Sequence, residues 1–274
     1  MNLQSPIESL DIVLDEELQF SSEPLYATPR LKINETDFEI TIEGVAKFGV
    51  KNGRTVSVLP HQDADEASVQ LFLNGSVLGA LLHQRGVLPL HGSSFVLNGK
   101  GIIICGCSGV GKSSVTAAFC KRGASFINDD ITPVVAEESG ITKIIPIKTQ
   151  IKLWNDTLKA FGIEEDGLSR IRPSLKKYYL PWEKYNGFQR LNKIIILRTY
   201  EKRHYEAEEL KGMAKYNALR RNIYRKLYLR GMPETARNIF KHLLKIAEDI
   251  DVIVVSRPKI SDINATMEFI LKQL

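Results

Sequence analysis

The chain has 274 residues, of which 43% are hydrophobic and 25% charged, and its formal net charge is +5. Those proportions fit one large or two small folded domains and exclude a fibrous or disordered chain. The mild positive balance is compatible with acidic partners such as nucleotide phosphates or acidic peptides. No interleaved basic and aromatic array argues for nucleic acid.

The opening stretch, MNLQSPIESLDIVLDEEL, has no basic region followed by an apolar run, so it does not read as a secretory signal. No apolar segment reaches the ~18 residues of a membrane span, and a cytoplasmic protein with no membrane partner is expected. Residues 1–30 are polar and acidic and are expected to form an arm or an edge strand. Alternation at 38–42 and 55–58, punctuated by Gly44, Gly49 and Asn52-Gly53, predicts a small antiparallel β region over 32–60. A β-rich N-terminal region at 1–65 and a second, larger domain at 66–274 are therefore expected. Residues 66–85 read as an apolar helix with a break at Asn74-Gly75, and 94–97 and 101–105 as a hairpin turning at Asn98-Gly99.

A helix over 114–122, closed by Gly123, leads to a strand at 125–128 and the pair Asp129-Asp130. Further β structure is expected at 133–135, 141–154, 193–197 and 252–255, with helices at 213–229, 233–248 and 261–274. Alternating strands and helices indicate an α/β fold. Cys105, Cys107 and Cys120 cluster and are odd in number, which fits a reducing compartment better than a disulfide scaffold.

The strongest chemical signal is Gly106-Cys107-Ser108-Gly109-Val110-Gly111-Lys112-Ser113, which matches G-x-x-x-x-G-K-[ST] between an apolar strand and a helix. Glycines let such a loop turn its N–H groups inward on phosphate oxygens, and the following helix start, with Ser114, adds its dipole. Lys112 offers a cation to the β- and γ-phosphates. Ser113 can join a Mg2+ shell. Residues 106–114 are thus the expected binding loop for ATP or another nucleoside triphosphate.

Asp129 and Asp130 stand at a strand end expected at the same sheet edge as the loop. One could take a proton from an attacking hydroxyl while the other helps hold Mg2+. Ser113 and Asp130 are the expected metal ligands, with the base role open between the two aspartates. His91, in Leu90-His91-Gly92, could orient a carboxylate or share its proton. Residues 172–179 could form a substrate or nucleotide loop. Arg220, Arg221 and Arg225 lie on a predicted helix, the last two spaced to share a face.

The run HGSSFVLNGKGIIICGCSGVGKSSVTAAFCKRGASFINDD, His91 to Asp130, resembles HPr kinase/phosphorylase and its relatives. The resemblance implies an α/β P-loop kinase core of the HPr kinase/phosphoenolpyruvate carboxykinase type, and an ATP- and Mg2+-dependent serine kinase. It places His91 near the reacting phosphate, the loop on the nucleotide, and acid–base and metal functions on the aspartates. The compact form looks like kinases that phosphorylate lasso-peptide precursors, so a peptide or protein substrate is expected, with a homo-oligomer left open. The alternatives are a small-metabolite kinase and a nucleotide-binding regulatory module with little transfer activity.

Overall fold

Apolar residues at every second position of the central strands build the first sheet of the computed structural model. The structure describes residues 1–274 apart from positions 2, 8, 9, 17, 18, 138 and 139, so the N-terminal reading at the first five of these lies outside the described residues. Strands β1 (Asp11–Leu14), β2 (Tyr26–Thr28), β3 (Leu31–Ile33), β4 (Asp37–Ile42), β5 (Ala46–Lys51) and β6 (Thr55–Pro60) form a six-stranded sheet in the order β1-β6-β5-β4-β3-β2. The antiparallel β region expected over 32–60 is present, and residues from 1–30 supply both edges, β1 pairing parallel to β6. Phe38, Phe48, Val50, Val56 and Val58 are fully buried on one face.

Helices α1 (Glu66–Phe72) and α2 (Leu78–Gln84) cover that face through Val69, Ala80 and Leu81. The break expected at Asn74-Gly75 takes the form of a π-helical turn, Leu73–Val77, joining the two. The Asp65 side chain caps α1 by accepting from the Ser68 N–H.

Contacts divide the chain into two compact units. The first comprises Met1–Pro89, Arg170–Lys176 and Arg225–Lys241; the second comprises Leu90–Ser169, Lys177–Tyr224 and His242–Leu274. The remaining strands are β7 (Leu88–Leu97), β8 (Lys100–Cys105), β9 (Ser125–Asn128), β10 (Ile131–Ala136), β11 (Thr142–Ile144), β12 (Gln150–Trp154), β13 (Lys177–Pro181), β14 (Gln189–Tyr200), β15 (Glu206–Glu209) and β16 (Asp251–Pro258). The remaining helices are α3 (Lys112–Lys121), α4 (Asn155–Ala160), α5 (Gly212–Arg221), α6 (Pro233–Asp249) and α7 (Ile263–Leu271). The chain is a mixed α/β protein with several sheets.

The large sheet runs β11-β10-β7-β8-β14-β16-β15, and β11 pairs with β14 as well. Strands β8, β14 and β16 are parallel. The hairpin β7–β8 turns at Asn98-Gly99, both at positive φ (50° and 75°), as a tight two-residue turn requires. Strand β9 does not pair with β8. It lies antiparallel to β7, which is itself antiparallel to β8, so β8 and β9 run the same way and end at one edge. Two reversals give the outcome that parallel pairing was expected to give.

One expected helix is too long. The helix read over 213–229 stops at Arg221, because Asn222 turns its side-chain amide back onto the Ala218 carbonyl and Arg225 takes φ +50°. Arg225 therefore shares no helical face with Arg221; its guanidinium donates to Ser76 Oγ at 2.8 Å. A short 3-10 stretch, Lys226–Gly231, follows. The three cysteines are free thiols. Among the described residues no helix is long and apolar enough to cross a membrane.

The second unit's core is anchored by Phe95 of β7 stacked on Phe119 of α3, ring centroids 4.6 Å apart, both almost fully buried. Phe119→Ala should cost about 3–5 kcal/mol of stability. Urea unfolding followed by far-UV circular dichroism would measure it, and a change within experimental error would show that this contact does not anchor the core.

Candidate functional site

The phosphate-loop sequence leaves the end of β8 through a crowded gap. Gly106 has φ +142°, and a Cβ there would lie 2.3 Å from the Leu197 carbonyl oxygen of β14, so only glycine fits. Gly111, at φ +101°, is the N-cap residue from which α3 starts. Val110 turns into the core while Cys107 faces outward, and neither lines the cavity that opens beside the loop. Ser108, Gly109, Gly111, Lys112, Ser113 and Ser114 do line it, together with His91, Asp129 and Asp130. The cavity measures about 260 Å³.

Lys112 opens α3, and its ammonium is folded back over the loop. It donates to the carbonyl oxygens of Gly106 at 2.9 Å and Cys107 at 3.0 Å, and to His91 Nε2 at 3.0 Å. Those are all three of its N–H donors. The histidine tautomer follows from its partners. Nδ1 lies 3.0 Å from the Asp130 carbonyl oxygen, which can only accept, so Nδ1 carries the proton and Nε2 is the acceptor for Lys112. Burial, then the Lys112 charge, push the His91 pKa below its ordinary value, which keeps this neutral form.

The aspartates diverge, as consecutive residues at a strand end do. Asp129 is almost fully buried and accepts from the Ser93 hydroxyl and from the Lys152 backbone N–H at 2.9 Å. Asp130 sits at φ +70°, an uncommon conformation for a side-chain-bearing residue, and its partly exposed carboxylate accepts from Lys152 Nζ at 2.9 Å. Burial works against the Asp130 charge, but Lys152, then His91, outweigh it and hold the carboxyl well below the usual range. Burial likewise opposes the Lys152 charge, and Asp130 overcomes it, raising the ammonium above its ordinary value. Lys148, within electrostatic range of the same groups, is brought down to about 7 by burial and by Lys152.

Several of these residues are invisible to motif reading. Lys152 is one. Arg257 of β16 is another: its Nε and Nη2 donate to the Val110 carbonyl oxygen at 3.1 and 3.0 Å, and its Nη1 donates to Ser261 Oγ at 2.8 Å. It thus clamps the loop from two strands away. Thr157 meets the Ser114 hydroxyl at 3.1 Å. Asn128 ties the chain leading to β12 by donating to the Ile145 carbonyl and accepting from the Ile147 N–H. The alternation in Gln150-Ile151-Lys152-Leu153-Trp154 would have separated the two faces of β12, but nothing local links Lys152 to Asp130.

Among the described residues no cluster of three or more His, Cys, Asp or Glu could form an all-protein metal cage. Ser113 and Asp130, the two oxygen donors expected for Mg2+, line the same cavity.

Comparison with protein-family models and with curated proteins gives no match. Among solved structures the chain is similar to the Hpr(Ser) kinase/phosphatase from Coxiella burnetii, at 17% identity and a TM-score of 0.36, over 68% of this chain and 94% of that one. A likeness this distant assigns no activity by itself.

The Asp130–Lys152 pair has a consequence for acid stability. Because Asp130 titrates lower in the folded chain than in the unfolded one, its contribution is full above about pH 4 and is lost as pH falls through the folded value. Lys152→Met should raise the Asp130 pKa and shrink that acid limb. Carboxyl 13C NMR titration with acid unfolding of both proteins would check this; an unmoved Asp130 titration would refute the pairing.

Proposed function

We propose that this chain is a kinase that transfers the γ-phosphoryl group of ATP to a serine hydroxyl of a peptide or protein. The observation carrying this reading is that Lys112, the loop serines and Asp130 face one cavity at the N-terminal end of α3. A phosphate-binding loop alone would suit any nucleotide binder. A cavity-facing carboxylate beside it suits transfer to a hydroxyl.

In this reading the backbone N–H groups of the glycine loop and the start of α3 cradle the phosphates. Lys112 reaches them by exchanging one of its present acceptors for a phosphate oxygen. Mg2+, when bound through Ser113 and Asp130, would neutralise charge on the phosphate tail. Asp130, kept ionised by Lys152, lies at the reacting centre and takes the proton of the attacking hydroxyl. Asp129, held by Ser93 and the Lys152 N–H, fixes the strand end from which Asp130 projects. His91 orients Lys112 and the Asp130 backbone together. Arg257 keeps the loop in shape.

The test is intact-mass analysis of acceptors incubated with the protein, ATP and Mg2+, the acceptors including HPr and a lasso-precursor peptide ending in serine. One added phosphate on serine is expected. Lys112→Ala and Asp130→Asn should each lower the rate by about 10²–10⁴-fold. Full transfer by a folded Asp129→Asn/Asp130→Asn protein would remove the aspartates from the mechanism. Nucleotide binding with no acceptor modified would favour a metabolite kinase or a regulatory module.

A further inference from the structure

The two-stranded ribbon β12–β13 carries different chemistry on its two faces. Ile151, Leu153 and Tyr178 are buried in the second unit's core. The opposite face presents Lys152 and Trp154, two apart on one strand, directly across from Tyr179 and Lys177 on the other. Lys152, Trp154 and Lys177 line the same cavity as Asp130. Trp154 is 46% exposed, and Lys177 Nζ stands 5.5 Å above its ring centroid.

Each carboxylate around this face has a hydrogen-bond partner, and among the described residues Asp130 is the one with a cation. Asp130 has Lys152, Asp129 has the Ser93 hydroxyl and the Lys152 N–H, and Asp156 accepts from the Thr157 N–H at 2.6 Å. Among the described residues no carboxylate lies within ion-pair distance of Lys177, whose ammonium packs over the Trp154 ring. Burial, then Lys152, lower the Lys177 pKa against the pull of Asp129 and Asp130, and an anion laid beside the ammonium would favour its charged form. The cavity volume of about 260 Å³ is below the ~300–1,000 Å³ of sites that enclose a small molecule, and it must also admit a phosphate tail. A second substrate therefore lies across the rim, where an extended peptide can rest on the exposed indole.

We propose that this face of the ribbon is the acceptor platform, and that the acceptor is a peptide segment with an acidic residue or terminal carboxylate beside its serine. The acidic group pairs with Lys177, the peptide lies on Trp154, and the hydroxyl points at Asp130. This rests on the kinase reading of the same site and adds the class of sequence it takes.

The test uses the full chain and short synthetic serine peptides whose flanking residues are Asp, Ala or Lys. Binding is followed by tryptophan emission, with Trp154→Phe identifying the reporting indole against Trp182, and transfer by peptide mass. The Asp-flanked peptide should bind about tenfold or more tightly than the Lys-flanked one, Lys177→Ala should erase the difference, and Lys177→Glu should invert it. Equal affinities, a preference for Lys flanks, or a preference that survives Lys177→Glu would overturn the proposal. Transfer to serine whatever its flanks would also overturn it while leaving the kinase reading standing. An intact acidic preference with no transfer to any peptide would count against the kinase reading alone.

Discussion

The site depends on one line of hydrogen bonds and charge that starts at Lys152, passes through Asp130 and His91, and ends at Lys112. It joins four segments far apart in sequence: β12, the end of β9, β7 and the start of α3. Each member sets the state of the next. Lys152 keeps Asp130 ionised, the Asp130 carbonyl places the proton on His91 Nδ1, and the free Nε2 aims the Lys112 ammonium. Burial makes the arrangement costly to disturb, since a buried charge left without its partner is worth several kcal/mol. The strained φ of Asp130 persists because its carbonyl and its carboxylate are both held.

Most elements were legible where pattern is local. The β region at 32–60, the Asn98-Gly99 hairpin, the strand–loop–helix from β8 to α3 and the strand leading to the acidic pair all follow from alternation, turn residues and caps. The helix read over 213–229 failed where a side-chain cap and a left-handed arginine overrode a helical composition. Over 155–190 the sequence indicates no helix or strand, for another reason. The residues of this region divide between the two compact units, so no single periodicity describes it.

For the candidate site, the glycine loop, the aspartates and His91 could be singled out from the sequence, and the structure gathers Lys112, Ser113, Ser114, His91 and both aspartates around one cavity. Lys152 and Arg257 could not be singled out. Each acts on a group it meets only through tertiary contact, across a sheet or from a neighbouring ribbon, and an isolated lysine or arginine in a strand has no local signature. The difference between Asp129 and Asp130 was hidden for the same reason: adjacent letters diverge only once Ser93 and Lys152 are brought up from β7 and β12.

The ribbon β12–β13 separates two demands that usually compete. Ile151, Leu153 and Tyr178 belong to the second unit's buried cluster, while Trp154 and Lys177 line the cavity. Changes at Trp154 or Lys177 leave the packing of Ile151, Leu153 and Tyr178 untouched. Such a surface can drift from one clientele to another in small steps, each tolerated by the fold, while the neighbouring loop and aspartates stay fixed. Divergence within a lineage built on this scaffold would accumulate at positions 154 and 177, with Lys152, between them and the aspartates, held fixed.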